Sequence, residues 1–421
     1  MDNLKPAYLP VSKENRIKEI DIIRGFALFG VLLVNVVFFG HITLMGYLNG
    51  ITPLTHPLNI SSLPDRISAI FILLFADGKF YTIFSFLFGL GFYIFMKRAE
   101  EKELKPKALF SKRMLALFLF GVLNYAFLYY GDILHVYAIG GVILMAFRKR
   151  SVKSLMIWVA LLLMMTTAIS VFIFSYSPAF LDAKYGLVDF ITCNDAVKSS
   201  FDAYRASSFL EIVKYRMTFE LSIIPMNLVF MIPKTLAMFL IGMSFGKLNI
   251  FQNIEGNLSF IKRLWKITGM LGGLSVLACL VTGYPLSEAL SGLLDPKIYK
   301  LSYEAGTVFI SLFYISTLLL LLRKNSFRKI LSPLQAVGKM ALSNYLAQCL
   351  ICSLVFYGHG MGLIGRTGIF FGVIFTIVFY GLQILYSNLW FRHFKFGPLE
   401  WIWRSFTYSR YLKANSQKLT L

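Results

Sequence analysis

Residues 22–39 read Ile-Ile-Arg-Gly-Phe-Ala-Leu-Phe-Gly-Val-Leu-Leu-Val-Asn-Val-Val-Phe-Phe, an apolar run in which Arg24 is the single charge. A helix rises about 1.5 Å per residue and the hydrocarbon of a bilayer is about 30 Å thick, so about 20 such residues cross it. The run therefore predicts a membrane-spanning helix. Nine more follow: Lys79 to Phe95, Met114 to Tyr130, Ile133 to Phe147, Ser154 to Ser175, Leu221 to Gly246, Leu264 to Thr282, Ala305 to Leu322, Ala336 to Tyr357 and Gly368 to Trp390. Of these, Ile133 to Phe147 is short. A further apolar piece, Ile67 to Ala76, is too short to span and reads as a re-entrant or interfacial helix leading through Asp77 and Gly78 into the second span. The expected fold class is all-α, a polytopic membrane helix bundle of about ten transmembrane helices with both termini cytoplasmic.

Composition agrees with that pattern. Of 421 residues, 57% are hydrophobic and only 15% charged, which excludes an ordinary soluble domain. The formal charge of +21 invites a nucleic-acid reading, but position decides otherwise. With the N-terminus inside, 30 of the 42 Lys and Arg fall on the segments that this topology leaves in the cytoplasm, as the enrichment of cytoplasmic loops in positive charge requires. No basic stripe remains to bind a polynucleotide. The expected partner is the lipid bilayer, and the expected location a bacterial inner or plasma membrane, crossed many times. No cleavable signal peptide precedes the first run.

Along the chain this gives a cytoplasmic tail (1–21), a first five-helix half (22–175), an external loop with a surface helix around Phe201 to Lys214 (176–220), a second half (221–405) and a short tail (406–421). No P-loop is present. Gly242 with Gly246, and Gly269 with Gly273, are small-residue pairs that let helices approach closely. Gly360, Gly362 and Gly365 match a dinucleotide-binding pattern by letter only, because no strand precedes them. Cys349 and Cys352 lie in an apolar helix and read as packing thiols, while Cys193 and Cys279 are the one conceivable disulfide.

Ionisable groups at membrane depth are costly, so each is a candidate for function. Asp21 and Arg24 stand three apart on one face of the first helix and can pair; Arg24 either anchors the helix or meets a phosphate-bearing ligand. Asn35 lies eleven residues on, about 16 Å deeper. A second group, His41, Lys79, Asp132, His135, Glu304 and His359, reads as lying at or near the external face, where a His beside a carboxylate serves as a general base. A third lies inside the bundle: Lys234 after Pro233, which needs a carboxylate, freed carbonyls or a cavity, and Asn344, Tyr345 and Gln348. Asn344 and Gln348, four apart, fit an interhelical hydrogen bond as well as a ligand contact. No metal-ligating spacing occurs.

The run from Ile20 to Asn35, the segments Gly78-Lys79-Phe80 and Phe84 to Gly89, Gly131-Asp132-Ile133-Leu134, Val337 to Leu346 and Phe396 to Arg404 together resemble the YeiB-type family of bacterial membrane proteins with its DUF418 C-terminal domain. More distantly, Asp21, Arg24, Gly25 and Asn35 are similar to the first span of heparan-α-glucosaminide N-acetyltransferase and other transmembrane acyltransferases. That likeness implies transfer of an acyl group from cytosolic acyl-CoA, a co-substrate rather than a tightly bound cofactor, to an extracytoplasmic small-molecule, glycan or lipid-linked acceptor. It also implies a catalytic His, for which His41 and His56 align poorly; His359 or His135, oriented by Asp132, would be the base. A secondary transporter with Lys234, Lys79 and Asp132 along its path, and a non-catalytic scaffold or sensor, remain alternatives.

Overall fold

The computed structural model describes residues 16–41, 62–175, 190–282 and 296–418. His56 and residues 176–189 of the expected external loop lie outside them, as does the Cys193 side chain. Among the described residues the chain is entirely helical. In order, the helices are α1 (Lys18–His41), α2 (Leu63–Phe71), α3 (Lys79–Glu101), α4 (Pro106–Phe127), α5 (Leu134–Leu144), α6 (Val152–Ser175), α7 (Phe190–Arg205) and α8 (Phe209–Tyr215). They continue as α9 (Ile224–Lys247), α10 (Leu258–Thr282), α11 (Pro296–Leu321), α12 (Asn325–Leu331), α13 (Leu334–Lys339), α14 (Ala341–Phe356), α15 (Ile369–His393) and α16 (Pro398–Lys418).

Eight helical segments among the described residues are long and apolar enough to cross a membrane, and they coincide with eight of the ten expected spans. The other two, Leu134–Phe147 and Ala341–Phe356, are shorter apolar helices. The ninth stretch, read as continuous from Ala336, is broken at Met340 between α13 and α14. Just before the break the chain passes close to α1, where a Cβ at Gly338 would fall 1.9 Å from the Asp21 carbonyl oxygen.

Ile67 to Ala76 does not turn back on itself. Helix α2 continues as a π-helical turn (Ile72–Ala76), and Gly78, at φ +75°, provides the left-handed step that opens α3. Asp65 sits at the N-terminus of α15, where it accepts a hydrogen bond from the Phe370 amide. The Phe80 ring, by contrast, lies against Gly30 in the middle of α1. The two pieces thus follow one another along the bundle as one interrupted span, counted whole as Leu63–Glu101. Carbonyls freed by such a break need partners in a medium without water, and Lys79 Nζ donates to the Leu73 oxygen at 2.8 Å.

Helix α1 occupies the centre, with Ile23, Ala27, Leu28, Leu32 and Val36 buried against α3, α13, α14 and α15. Helices α10 and α15 expose Met270, Leu274, Leu277, Ile377, Val378 and Leu382, the apolar outer faces expected in lipid. Helices α3 and α9 touch through glycine: a Cβ at Gly89 would lie 1.9 Å from the Phe239 oxygen, and one at Gly242 1.9 Å from the Phe86 oxygen. Gly246 packs on Tyr93, as its pairing with Gly242 suggests. The other expected pair is split, since Gly269 meets Phe313 whereas Gly273 has nothing within 4 Å. Gly242→Leu should therefore destabilise by about 1–3 kcal/mol or more through overpacking, read as a lower melting temperature of the purified protein. Gly273→Leu should leave that temperature unchanged.

Candidate functional site

A cavity of about 710 Å³ runs through the interior between α1, α3, α4, α9, α11 and α14. At the end where α1 begins, here the basic end, Arg24, Arg113 and Lys339 line it together with Glu400 and Trp403. Its waist is aromatic, with Phe80, Phe84, Phe88, Phe92 and Phe110. Its deep end carries Asn35, Tyr81, Tyr129, Lys234, Lys300, Tyr303 and Glu304. The aromatic lining of the waist comes largely from α3, whose Phe80, Phe84, Phe88 and Phe92 recur at every fourth residue and line the cavity, while Phe86 and Gly89 pack on α9.

At the basic end the expected pair forms: Arg24 NH1 donates to Asp21 Oδ1 at 3.1 Å and also to the Gly338 carbonyl at 3.2 Å. Asp21 is shared, because Arg16 donates both Nε and NH2 to it. Arg113 lies under the Trp403 ring, 4.3 Å from its centroid, and the Trp403 indole donates to the Arg113 carbonyl. Glu400 accepts from the Leu342 and Ser343 amides at 2.8 and 3.1 Å and from the Ser343 hydroxyl. It thereby caps α14 from another helix, satisfying the first-turn donors that have no partner within their own helix. Burial raises its pKa, and the donors on Ser343 and Leu342 oppose that rise. Glu400→Ala should cost about 1–2 kcal/mol of stability by removing the cap, measured as a lower melting temperature, with Glu400→Gln falling between.

Five of the six residues expected at or near the outer face are buried: His41, Lys79, Asp132, His135 and Glu304. The interrupted span carries Lys79 to mid-bundle, and the short α5 does the same for Asp132 and His135, which are 1% and 3% exposed. Asp132 Oδ2 lies 3.0 Å from His135 Nδ1 and accepts the His135 amide at 3.2 Å. Its other oxygen accepts from Asn124 at 2.7 Å and Tyr345 at 3.4 Å. His135 Nε2 is buried with no hydrogen-bond partner among the described residues. Gly131, Ile133 and Leu134, which flank Asp132 and precede His135, line the cavity.

His359 is elsewhere. It sits in the loop between α14 and α15, its ring 5.3 Å from that of Phe209, and it does not line the cavity. Burial, followed by the charge of Arg216, lowers its pKa. His41 is buried at the end of α1. Asn35 does reach the cavity, accepting from the Tyr129 hydroxyl at 3.3 Å. Asn344 and Gln348 face α15: Asn344 donates to Ser387 at 3.0 Å and Gln348 to Gln383 at 2.8 Å, the interhelical hydrogen-bond option. Of the three α14 residues, Asn344, Tyr345 and Gln348, Tyr345 lines the cavity and the other two do not. Lys234 has two of the supports it needs, the cavity and a carboxylate, since its Nζ lies 2.7 Å from Glu304 Oε2.

Sequence reasoning did not single out Glu400, Arg113 or Asn124, nor the buried set Arg216, Tyr204 and Glu220. There the Tyr204 hydroxyl lies 2.8–2.9 Å from both Glu220 oxygens and 3.2 Å from Arg216 Nε, fastening α7 to the bundle; the amphipathic stretch around Phe201 was the only signal. Cys279, Cys349 and Cys352 are free thiols.

A helical bundle with bilayer-exposed apolar faces and an internal cavity charged at both ends defines a multi-pass integral membrane protein. The comparisons agree on the family. Residues 245–410 match the family described as "Protein of unknown function (DUF418)". The chain is 31% identical over 411 residues to "Uncharacterized protein YxaH" of Bacillus subtilis (strain 168), covering 95% of this chain and 96% of that one. It is 30% identical over 410 residues to "Uncharacterized 39.9 kDa protein in amylase 3'region" of Bacillus acidopullulyticus, at 95% and 96% coverage. With "Uncharacterized protein YeiB" of Escherichia coli (strain K12) it shares 27% identity over 419 residues, at 92% and 95% coverage. The chain belongs to this DUF418/YeiB-like family. No solved structure matches it.

Proposed function

We propose that this protein is a membrane acyltransferase that takes an acyl group from cytosolic acyl-CoA and passes it to an acceptor from the far side of a bacterial inner membrane. The basic end of the cavity faces the cytosol, in keeping with the placement of positive charge. One observation carries the reading: a single cavity joins Arg24, Arg113 and Lys339 at that end to the Asp132–His135 turn at mid-bundle. Cations at the mouth suit the phosphates of CoA, and a waist of phenyl rings suits the pantetheine arm and the acyl chain.

At mid-bundle, Asp132 on Nδ1 fixes the imidazole so that Nε2 is the basic nitrogen. An acceptor hydroxyl or amine gives its proton to Nε2 as its oxygen or nitrogen attacks the thioester carbonyl carbon. The C–S bond breaks, and the proton passes from the imidazole to the departing CoA sulfur. His135 is the base in this scheme and His359 is not, because Gly131, Ile133 and Leu134, around the Asp132–His135 turn, line the cavity and the loop that carries His359 does not.

The test is binding and hydrolytic release. The purified protein in neutral detergent should bind acetyl-CoA saturably and release free CoA, and Arg24→Ala should weaken binding at least tenfold. Absence of binding across short and long acyl-CoAs would overturn the proposal. A transport reading is favoured by one feature, the Lys234–Glu304 pair lining the same cavity. It predicts solute flux into proteoliposomes that depends on Lys234 and needs no acyl-CoA.

A further inference from the structure

A second recess, of about 640 Å³, opens at the cytosolic end between the start of α1, the end of α3, the α9–α10 link, the end of α11 and α12. It is separate from the internal cavity. Successive residues of a helix turn by about 100°, so Phe84, Phe88, Phe92 and Phe95 of α3 face the cavity while Tyr93, Lys97 and Glu101 face the recess on the opposite side of the same helix.

Arg16, Lys97, Arg98, Arg323 and Arg328 line the recess against three carboxylates, Glu19, Glu101 and Glu255. Arg323 holds both Glu255 oxygens at 2.8–2.9 Å, and Arg16 holds Asp21, just outside the recess. Arg328 donates Nε to the Leu322 carbonyl and reaches Glu19 only at 3.6 Å, an ion pair without a hydrogen bond. Lys97 is exposed and makes neither a hydrogen bond nor an ion pair among the described residues. Even with Asp21 counted, five cations face four carboxylates among the described residues, an excess of one positive charge. Helix ends do not cancel it, because α3 and α11 end here while α1 begins, leaving about half a negative charge. The enrichment of cytosolic segments in Lys and Arg accounts for the number of these cations but not for their convergence on one recess.

Position selects the ligand. The recess lies where three spanning helices begin or end, which is the level of the lipid headgroups. Beside it, α12 leaves Phe327 and Ile330 exposed while Arg328 lines the recess, the pattern of a helix lying in the interface. Guanidinium and ammonium groups converging on one point suit a phosphate, and basic pockets between spanning helices on the cytoplasmic side take anionic headgroups. Glu101 and Gln252, on the same wall, can accept hydrogen bonds from hydroxyls.

We infer that this recess is a binding site for an anionic phospholipid of the cytosolic leaflet. Its phosphodiester meets Lys97 and the arginines around it, hydroxyls of a glycerol headgroup meet Glu101 and Gln252, and its acyl chains lie over Phe327 and Ile330. The single excess positive charge matches the single negative charge of such a lipid. The site lies on the other side of α3 from the cavity and is independent of the acyl-transfer reading.

The experiment is equilibrium binding to the full-length protein in neutral detergent. The probes are dioctanoyl phosphatidylglycerol, dioctanoyl phosphatidylcholine and glycerol 3-phosphate. The phosphatidylglycerol should bind saturably and about tenfold or more tightly than the phosphatidylcholine. Lys97→Gln should weaken it about tenfold, the worth of one charge-assisted hydrogen bond, and Lys97→Arg should restore it. Arg113→Gln, at the basic end of the internal cavity, should leave it unchanged. The inference fails if the two lipids bind alike or if Lys97→Gln leaves phosphatidylglycerol binding unaffected. It fails equally if Arg113→Gln weakens that binding as much as Lys97→Gln does, which would put the lipid in the cavity. Glycerol 3-phosphate bound as tightly as the lipid would overturn the lipid assignment in favour of a soluble phosphate.

Discussion

Replacing His135 by Gln is expected to lower acyl transfer by about 10²–10⁴-fold, the usual contribution of a positioned general base, while acyl-CoA still binds. The substitution is conservative for the fold. A Gln side chain can hydrogen-bond Asp132, keep Asn124 and Tyr345 engaged with the same carboxylate, and fill nearly the same volume, so no buried carboxylate is left bare. What it cannot do is accept and return a proton at the position of Nε2. His359→Gln, made in parallel, should retain full activity, because the Phe209-packed loop lies away from the cavity. Single-turnover release of CoA, with binding measured separately, reads both. Undiminished turnover in His135→Gln would remove the residue from the chemistry. Loss in His359→Gln alone would move the reaction to the loop between α14 and α15.

The second large effect is on stability. Lys234→Met leaves Glu304 buried with the long contact to Lys300 and a hydrogen bond with Ser170, and removing one partner of a buried ion pair typically costs about 3–5 kcal/mol. Lys300 retains some compensation, so the lower part of that range is expected here. The double variant Lys234→Met with Glu304→Gln removes both charges together and should recover most of the loss, because a neutral amide beside a thioether carries no uncompensated charge. Melting of the purified single and double variants decides it. Equal destabilisation in both would mean that the pair contributes through packing, with its electrostatics immaterial.

Much of the architecture was legible in the chain because membrane helices are read from uninterrupted apolar length, a property of composition alone. Ile22 to Phe39 needed no tertiary context to be recognised. The break at Met340 did, since Ala336 to Tyr357 holds no proline and its one glycine, Gly338, does not by itself end a helix. Depth was the harder quantity. Lys79, Asp132 and His135 each sit beside a turn signal, Asp77-Gly78 or Gly131-Asp132, and a turn in a membrane protein usually marks an aqueous end. Here both turns lie within the bundle, because α2 and α5 are too short to carry their turns to the surface. The Asp21–Arg24 pair was legible from its spacing of three. Glu400 was not, because a cap supplied to α14 by a helix 57 residues further along the chain has no local signature.

The glycine and carboxylate contacts around α1 and α2 also constrain the order in which the molecule can be completed. Asp65 finds its partner amide 305 residues later, at Phe370. The Gly25 carbonyl accepts from the Tyr380 hydroxyl, 355 residues away, and the face of α1 around Gly25 is filled by Leu334 and Gly338. A nascent chain whose synthesis has reached only α11 therefore holds its first helices in the bilayer with their innermost surfaces still waiting. Assembly closes around the earliest helix last, and a truncation before α13 would leave α1 with α3 but without α13, α14 and α15, rather than a shortened version of the bundle.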